Sequence, residues 1–434
     1  MNNKKILIIT YYWPPAGGPG VQRWLKFVKY LPDFGWKPTV FIPENPSYPI
    51  VDETLQNEVS KDLEIIRTKI WEPYQIAEFF GKDNKKFKAG QFDVGKNQSW
   101  KSKLSIWVRG NFFIPDARVF WVKPSAKYLK TYLKENNFDA VVTTGPPHSV
   151  HLIGLELKKE FPNLKWIADF RDPWTEISYY KYLKLTKSSD KKHRDLEEQV
   201  FKTADITLAT SYTDADNFRK KGANAFCVTN GFDGFENALN TKKNTKFTLS
   251  YIGVLEQLRN PEILWSTLNQ IIQENEAFKS DFELKFVGRV DDKILKEIEN
   301  SNLKDSLNNI GYLSHSEANA EMQISDVLLI TNFPDESSKG IIPGKIFEYL
   351  ATGKPILSFG PKESDVKKIL DETNAGKHFS YQESAELKAF LIDHYQNWKS
   401  GITSSKTKNI EQFSRRNLTG KLSEILETET RVRA

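Results

Sequence analysis

The 434-residue chain predicts an α/β fold built from two parallel-sheet domains. Three observations carry this. Short, continuous apolar runs recur along the chain, as at Ile6 to Ile9, and such runs suit parallel strands buried on both faces. Stretches of helical periodicity lie between most of them, and strands alternating with helices make a parallel sheet. The pattern starts afresh at Phe247, after a segment rich in Asn, Gly, Lys and Thr. Two sheets are therefore expected, not one.

The elements follow in order. After Ile6 to Ile9 comes the loop "PPAGGPG", then Val21, Trp24, Leu25, Val28 and Leu31 at helical spacing, a turn, and the strand "TVFIP". Further strands are expected in "DAVVTTG", "LKWIADF", "ADITLATS" and "AFCVTN". The second series runs "KFTLSYIG", "FELKFVG", "NNIGYL", "SDVLLIT" and "GKPILSFG". "GKIFEYLAT" between the last two reads as a helix, with Pro343 at its start and Gly353 just past its end. The join falls at about residues 232–246, giving an N-terminal domain over 1–232 and a C-terminal domain over 246–408. Phe413 to Leu426, within the segment 409–434, reads as a final amphipathic helix.

Composition narrows the function classes. Cys227 is the only cysteine, so a disulfide framework and a thiolate metal site are excluded, and a reducing cytoplasm fits. Ile6 to Ile9 is far too short for the apolar core of a secretion signal. No window approaches the ~18 apolar residues a membrane span needs. The expectation is a soluble, cytoplasmic protein. Its net charge of +6 is uneven, because residues 82–134 carry thirteen basic side chains against three acidic ones. Aromatics are interleaved there, among them Phe87, Trp100, Trp107, Phe112, Phe120 and Trp121. That mixture suits anionic lipid headgroups, where rings sit at the interface and cations meet phosphates. It also suits single-stranded nucleic acid or a plainly solvated face.

Ligands of open α/β sheets bind beyond the carboxyl ends of the strands, so the residues there are the candidates. With two sheets facing each other, the cleft between them is the expected site. Gly17 and Gly18 lie between the first strand and its helix, where backbone can approach a ligand and helix N–H groups can meet an anion. The spacing is not GxGxxG, so no dinucleotide fingerprint is present. "TTGPPHSVH" places His148 and His151 near a helix start. "ADFRDPW" places Asp169, Arg171 and Asp172 at a strand end, either as a local ion pair or as hydroxyl- and phosphate-recognising groups. In the second half Arg259 stands near a helix start, where a cation is favourable only with an anion between. Lys345 and Glu348 are three apart on one helical face, as a surface salt bridge or as phosphate and ribose ligands.

These residues, in this order, resemble retaining glycosyltransferases of the family 4 type with the GT-B fold. The matching parts are "YYWPPAGGPG", "TTGPPHSVHLIG", "WIADFRDPWTE", "VTNGFD", "YIGVLEQLRNPE" and "GIIPGKIFEYLATGKPIL", spanning nearly the whole chain. The resemblance implies two Rossmann-like domains facing across a cleft, with a C-terminal helix crossing back to the first. It implies a nucleoside diphosphate sugar donor on the second domain, with Arg259 and Lys345 on the diphosphate and Glu348 on the ribose. Gly17 and Gly18 would close over the diphosphate, and His148 or His151 would contact the transferred sugar or the acceptor. Asp172 joins the histidines as a catalytic candidate, and Asp169 and Arg171 fall on the acceptor side. No metal and no other cofactor is implied, since basic side chains and helix ends neutralise the diphosphate. The acceptor would be a glycan or lipid-phosphate carrier in bacterial surface-polysaccharide assembly, with residues 82–134 on the inner membrane leaflet and no nucleic-acid partner. Two positions depart from the family: Gly340 stands eight residues before Glu348, where a glutamate is common, and Val254 replaces the usual arginine. The alternatives are a nucleotide-sugar 2-epimerase on the same fold and a non-catalytic binding or scaffolding relative.

Overall fold

A computed structural model describes residues 3–72, 100–177, 179–234, 244–382, 385–402 and 406–428. The chain forms two compact units, Met1–Asn230 with Arg415–Ala434, and Gly231–Ser414.

The first unit contains β1 (Lys4–Thr10), α1 (Pro19–Tyr30), β2 (Trp36–Pro43), β3 (Glu64–Thr68), α2 (Trp100–Phe112) and α3 (Val122–Glu135). It continues with β4 (Ala140–Gly145), α4 (Ser149–Glu160), β5 (Lys165–Phe170), α5 (Lys187–Thr203), β6 (Ile206–Ala209), α6 (Tyr212–Lys220) and β7 (Ala225–Cys227). The seven strands lie in the order β3-β2-β1-β4-β5-β6-β7, all parallel. Side chains of a strand alternate between faces, and β1 shows what each face buries. Ile6 and Ile8 join Trp24, Leu25 and Val28 of α1, whereas Leu7 and Ile9 join Leu129 of α3 and Ile153 of α4. Both faces are covered, which is why the strand reads as an unbroken apolar run.

The second unit contains β8 (Phe247–Ile252), α7 (Glu262–Glu274), α8 (Glu276–Asp281), β9 (Phe282–Val287), α9 (Asp292–Glu299), β10 (Leu307–Gly311) and α10 (His315–Ile324). Then come β11 (Val327–Thr331), α11 (Lys345–Thr352), β12 (Ile356–Phe359), α12 (Asp365–Thr373), β13 (Gly376–Phe379) and α13 (Ala385–Lys399). Its six strands lie in the order β10-β9-β8-β11-β12-β13, again all parallel. In both sheets the strand order reverses beside the first strand, at β1/β4 and at β8/β11. Loops diverge there, leaving a crevice at the carboxyl ends.

The last helix, α14 (Arg415–Glu427), belongs to the first unit. Leu418, Leu422, Ile425 and Leu426 pack into the cluster of Ile6 and Trp24, and Trp36 Nε1 donates to Ser423 Oγ at 3.1 Å. Residues 409–414 stay with the second unit: the Phe232 N–H donates to the Phe413 carbonyl at 3.1 Å, and the Phe347 and Phe413 rings lie 5.6 Å apart. Among the described residues no helix is long and apolar enough to cross a membrane. Of the basic stretch at 82–134, residues 82–99 lie outside the described residues, as do 235–243 of the linker.

Candidate functional site

In the second unit three of the expected residues share one electrostatic neighbourhood at the carboxyl end of β8. Lys345 opens α11, sets its ammonium 4.3 Å from the centre of the Tyr251 ring and donates to the Ile252 carbonyl at 2.7 Å. Gly253 follows the strand with a φ of +130° that disfavours any side chain, and a Cβ there would stand 2.6 Å from Lys345 Nζ. Burial pulls the Lys345 pKa down; Tyr251 and Glu348 oppose the shift, and the Arg259 cation adds to it.

Arg259 closes a short turn, Gln257–Arg259, three residues ahead of α7. Its Nη2 donates to the Val254 carbonyl at 2.9 Å, its ion pair with Glu256 is loose at 3.4 Å, and its Nε is buried with no hydrogen-bond partner among the described residues. Glu348 lies half-buried in the first turn of α11. It makes no ion pair among the described residues, because Lys345 is turned toward Tyr251 and Ile252 instead. Two cations and one carboxylate are thus held at strand ends without neutralising one another in contact. A carboxylate near a helix N-terminus is favoured by the helix dipole, and so is a bound phosphate.

In the first unit the expected residues divide into a buried node and a cavity wall. Asp169 has no exposure. It takes Arg23 Nη2 at 3.0 Å, Trp24 Nε1 at 2.6 Å and the Thr144 hydroxyl at 2.8 Å. Of the two readings of this strand end, the local ion pair is not made through Asp169: its charged partner comes from α1, and the carboxylate is enclosed by protein. Arg171 donates instead to the Gly145 carbonyl at 3.3 Å and to the Pro146 carbonyl. Its guanidinium fills the space at Gly20, where a Cβ would stand 2.0 Å from Nη1. That contact ties the glycine loop to the strand-end residues. Gly18 caps α1 with φ +101° and no side-chain cap, while Gly17 donates to Ile50 O at 3.0 Å and has no room for a Cβ beside Ile50.

A cavity of about 280 Å³ lies at the ends of β4 and β5, lined among others by Tyr12, Arg109, His148, Asp172, Trp174 and Tyr179. His148 is 7% exposed and stacks on Trp174 at 5.1 Å, nearly parallel at 4°. Neither of its ring nitrogens has a hydrogen-bond partner among the described residues. Burial, then the neighbouring His151, hold its pKa well below the usual histidine value, so it stands neutral. Asp172 is exposed on the cavity wall yet hemmed in by protein, and that enclosure raises its carboxyl while Arg171 opposes the rise. Asp116, also on the wall, accepts from the Ser149 N–H at 2.9 Å and hydroxyl at 2.8 Å, fixing the start of α4 beneath His148.

His151 does not line this cavity. It is fully buried, stacked on Phe170 at 4.3 Å with Nδ1 2.9 Å from the Thr143 hydroxyl, and burial lowers its pKa to about 3. From the first turn of α4 its ring packs against Phe170 in the interior, while His148 reaches the cavity wall. Three participants escaped the sequence reading. Arg23 looked like one more residue of an amphipathic helix. Arg118 reaches the cavity wall and pairs at 3.2 Å with the fully buried Glu72, across a gap in sequence that no spacing rule spans. His193 accepts from Trp174 Nε1 at 3.0 Å through Nδ1, so its proton sits on Nε2 toward Gly110 O.

The fold matches solved structures over its whole length. A variant of S. aureus TarM, solved with fondaparinux, alpha-GlcNAc-glycerol and UDP, gives a TM-score of 0.56 at 10% identity, covering 98% of this chain and 100% of that one. WaaG, a glycosyltransferase involved in lipopolysaccharide biosynthesis, gives 0.51 at 12%, covering 98% and 100%. A putative UDP-N-acetylglucosamine 2-epimerase from Listeria monocytogenes gives 0.51 at 11%, covering 99% and 98%. No protein-family model and no curated protein matches the sequence. At such identities the likeness defines the fold, a GT-B pair of Rossmann-like units, and leaves function to the residues.

Proposed function

We propose that the chain is a glycosyltransferase that moves a sugar from a nucleoside diphosphate donor to a glycan or lipid-linked acceptor in cell-surface polysaccharide synthesis. The observation that carries this is the strand-end group of the second unit: Lys345, which donates to a backbone carbonyl, and Arg259, only loosely paired with Glu256, near Glu348, which makes no ion pair among the described residues. Two cations suit the diphosphate, and a carboxylate suits two ribose hydroxyls. As the glycosidic bond breaks, negative charge grows on the leaving diphosphate, where preorganised cations lower the barrier. The first unit supplies the acceptor side. Neutral His148 hydrogen-bonds a sugar or acceptor hydroxyl, and Asp172 accepts or orients a second one. Asp169 and Arg171 hold the glycine loop and the strand ends in register. The transfer retains configuration in this reading, as the family resemblance implies.

The test is a screen of nucleoside diphosphate sugars for thermal stabilisation and for hydrolysis by the intact chain. One donor is expected to raise the melting temperature and to release nucleoside diphosphate faster when acceptor is added. No response to any donor would leave a non-catalytic relative. Conversion of the sugar within the nucleotide, with no diphosphate released, would make the protein an epimerase.

A further inference from the structure

The segment that follows residue 99 contributes to more than the cavity wall. α2 lines the cavity through Arg109 and Gly110, while Leu104, Trp107 and Phe112 of the same helix are 50%, 37% and 68% exposed. Phe120 and Trp71, exposed at 43% and 48%, extend this surface. The rings form two groups: Trp107 with Phe112 at 5.6 Å, and Phe120 with Phe113 at 5.9 Å and with Trp71 at 4.7 Å. Exposed apolar side chains grouped in this way mark an interaction surface.

Charge selects the occupant. Residues 100–135 hold eight basic side chains and two acidic ones. Lys130 and Lys134 are engaged with Glu156 and Glu160. Lys123 and Lys127 are exposed one turn apart on α3, just past Phe120, with no acidic partner among the described residues. The rings meet one another edge to face, at 68°, 69° and 81°. That packing spends ring faces on neighbouring rings, which disfavours base stacking, whereas entry into a headgroup layer needs only apolar volume beside cations.

We infer that the first unit docks on anionic lipid bilayers through Trp71, Leu104, Trp107, Phe112 and Phe120, with Lys123 and Lys127 against the lipid phosphates. Docking would set the His148 cavity close to the bilayer surface through α2. That this serves a membrane-borne, phosphate-linked acceptor rests on the transferase reading above; the docking itself does not.

The experiment is sedimentation of the full chain with sucrose-loaded vesicles, of phosphatidylcholine alone or enriched in phosphatidylglycerol, with no sugar nucleotide present. Partition into the anionic vesicles is expected, falling with added salt. Lys123→Gln with Lys127→Gln should lower it roughly 10-fold or more, at ~1 kcal/mol per cation near the surface. Trp107→Ser with Phe112→Ser should lower it at least as far, with melting curves confirming that both variants fold. Equal partition into neutral and anionic vesicles, or partition unchanged in both variants, overturns the inference. So does binding to a single-stranded oligonucleotide in place of vesicles. Donor binding is measured separately, so either idea can fail while the other stands.

Discussion

Arg23 of α1 and Asp169 of β5 pair at 3.0 Å with side-chain exposures of 1% and 0%. The pair is locked from both ends, by the Val228 and Thr229 carbonyls on Arg23 at 2.8 and 3.0 Å and by Trp24 and Thr144 on Asp169. Removing one charge strands the other in low dielectric. Asp169→Asn should therefore cost about 3–5 kcal/mol of stability, read as a shift in the urea midpoint. Arg23→Met combined with Asp169→Leu should recover part of that loss. An unshifted midpoint for Asp169→Asn would mean the pair contributes nothing.

The donor assignment separates by ligand. Arg259→Ala should weaken a sugar nucleotide about 10–100-fold in calorimetry, the worth of a charged hydrogen bond, and leave a free nucleoside nearly unaffected. Glu348→Ala should weaken both. Equal losses in the arginine variant would remove its phosphate role, and unchanged affinity in the glutamate variant would remove Glu348 from the ribose.

Lys345 gives the donor site a pH dependence. Burial sets its pKa below the ordinary lysine value, so its charge is lost earlier on the alkaline side. Affinity for a nucleoside diphosphate should decline as pH rises through that lowered pKa, and Lys345→Met should flatten the decline. A wild-type profile as flat as the variant's would take the ammonium out of phosphate binding.

The histidines act on stability with a definite sign. Both fold with pKa values below the ~6.5 of the free side chain, about 3 for His151 and lower than usual for His148. Below pH ~6.5 the unfolded chain binds protons that the folded chain refuses. Their contribution is present above that pH and is lost as pH falls toward the folded values, at about 1.4 kcal/mol per pH unit per histidine. His151→Phe, which keeps the stack on Phe170, should flatten the acid limb of urea-derived stability. An identical limb in the variant would show that His151 titrates normally.

Most strands were readable from residues alone because central strands of a parallel sheet are apolar on both faces. β3 and β13 were not. Each lies at one edge of its sheet, partly exposed, and "EIIRT" and "GKHF" carry no long apolar run. The helix Lys345–Thr352 was legible through its glycine stop, since Gly353 takes φ +68°. At the site, residue type was legible and partner was not. Asp169 invited pairing with a neighbour two residues on, and found Arg23, 146 positions away. His148 and His151 look equivalent at a helix start, and only the direction of each ring separates a cavity wall from a core.

The return of α14 to the first unit has a consequence for synthesis. Leu418, Leu422, Ile425 and Leu426 belong to the same core as Ile6, so the unit begun first on the ribosome is the last to be completed. Until residues 415–427 emerge, the groove beside α1 and Trp36 stays open and apolar. The second unit, contiguous over Gly231–Ser414, has every one of its strands by then. A cut between the two units in the linker would yield one whole piece and one lacking its final wedge.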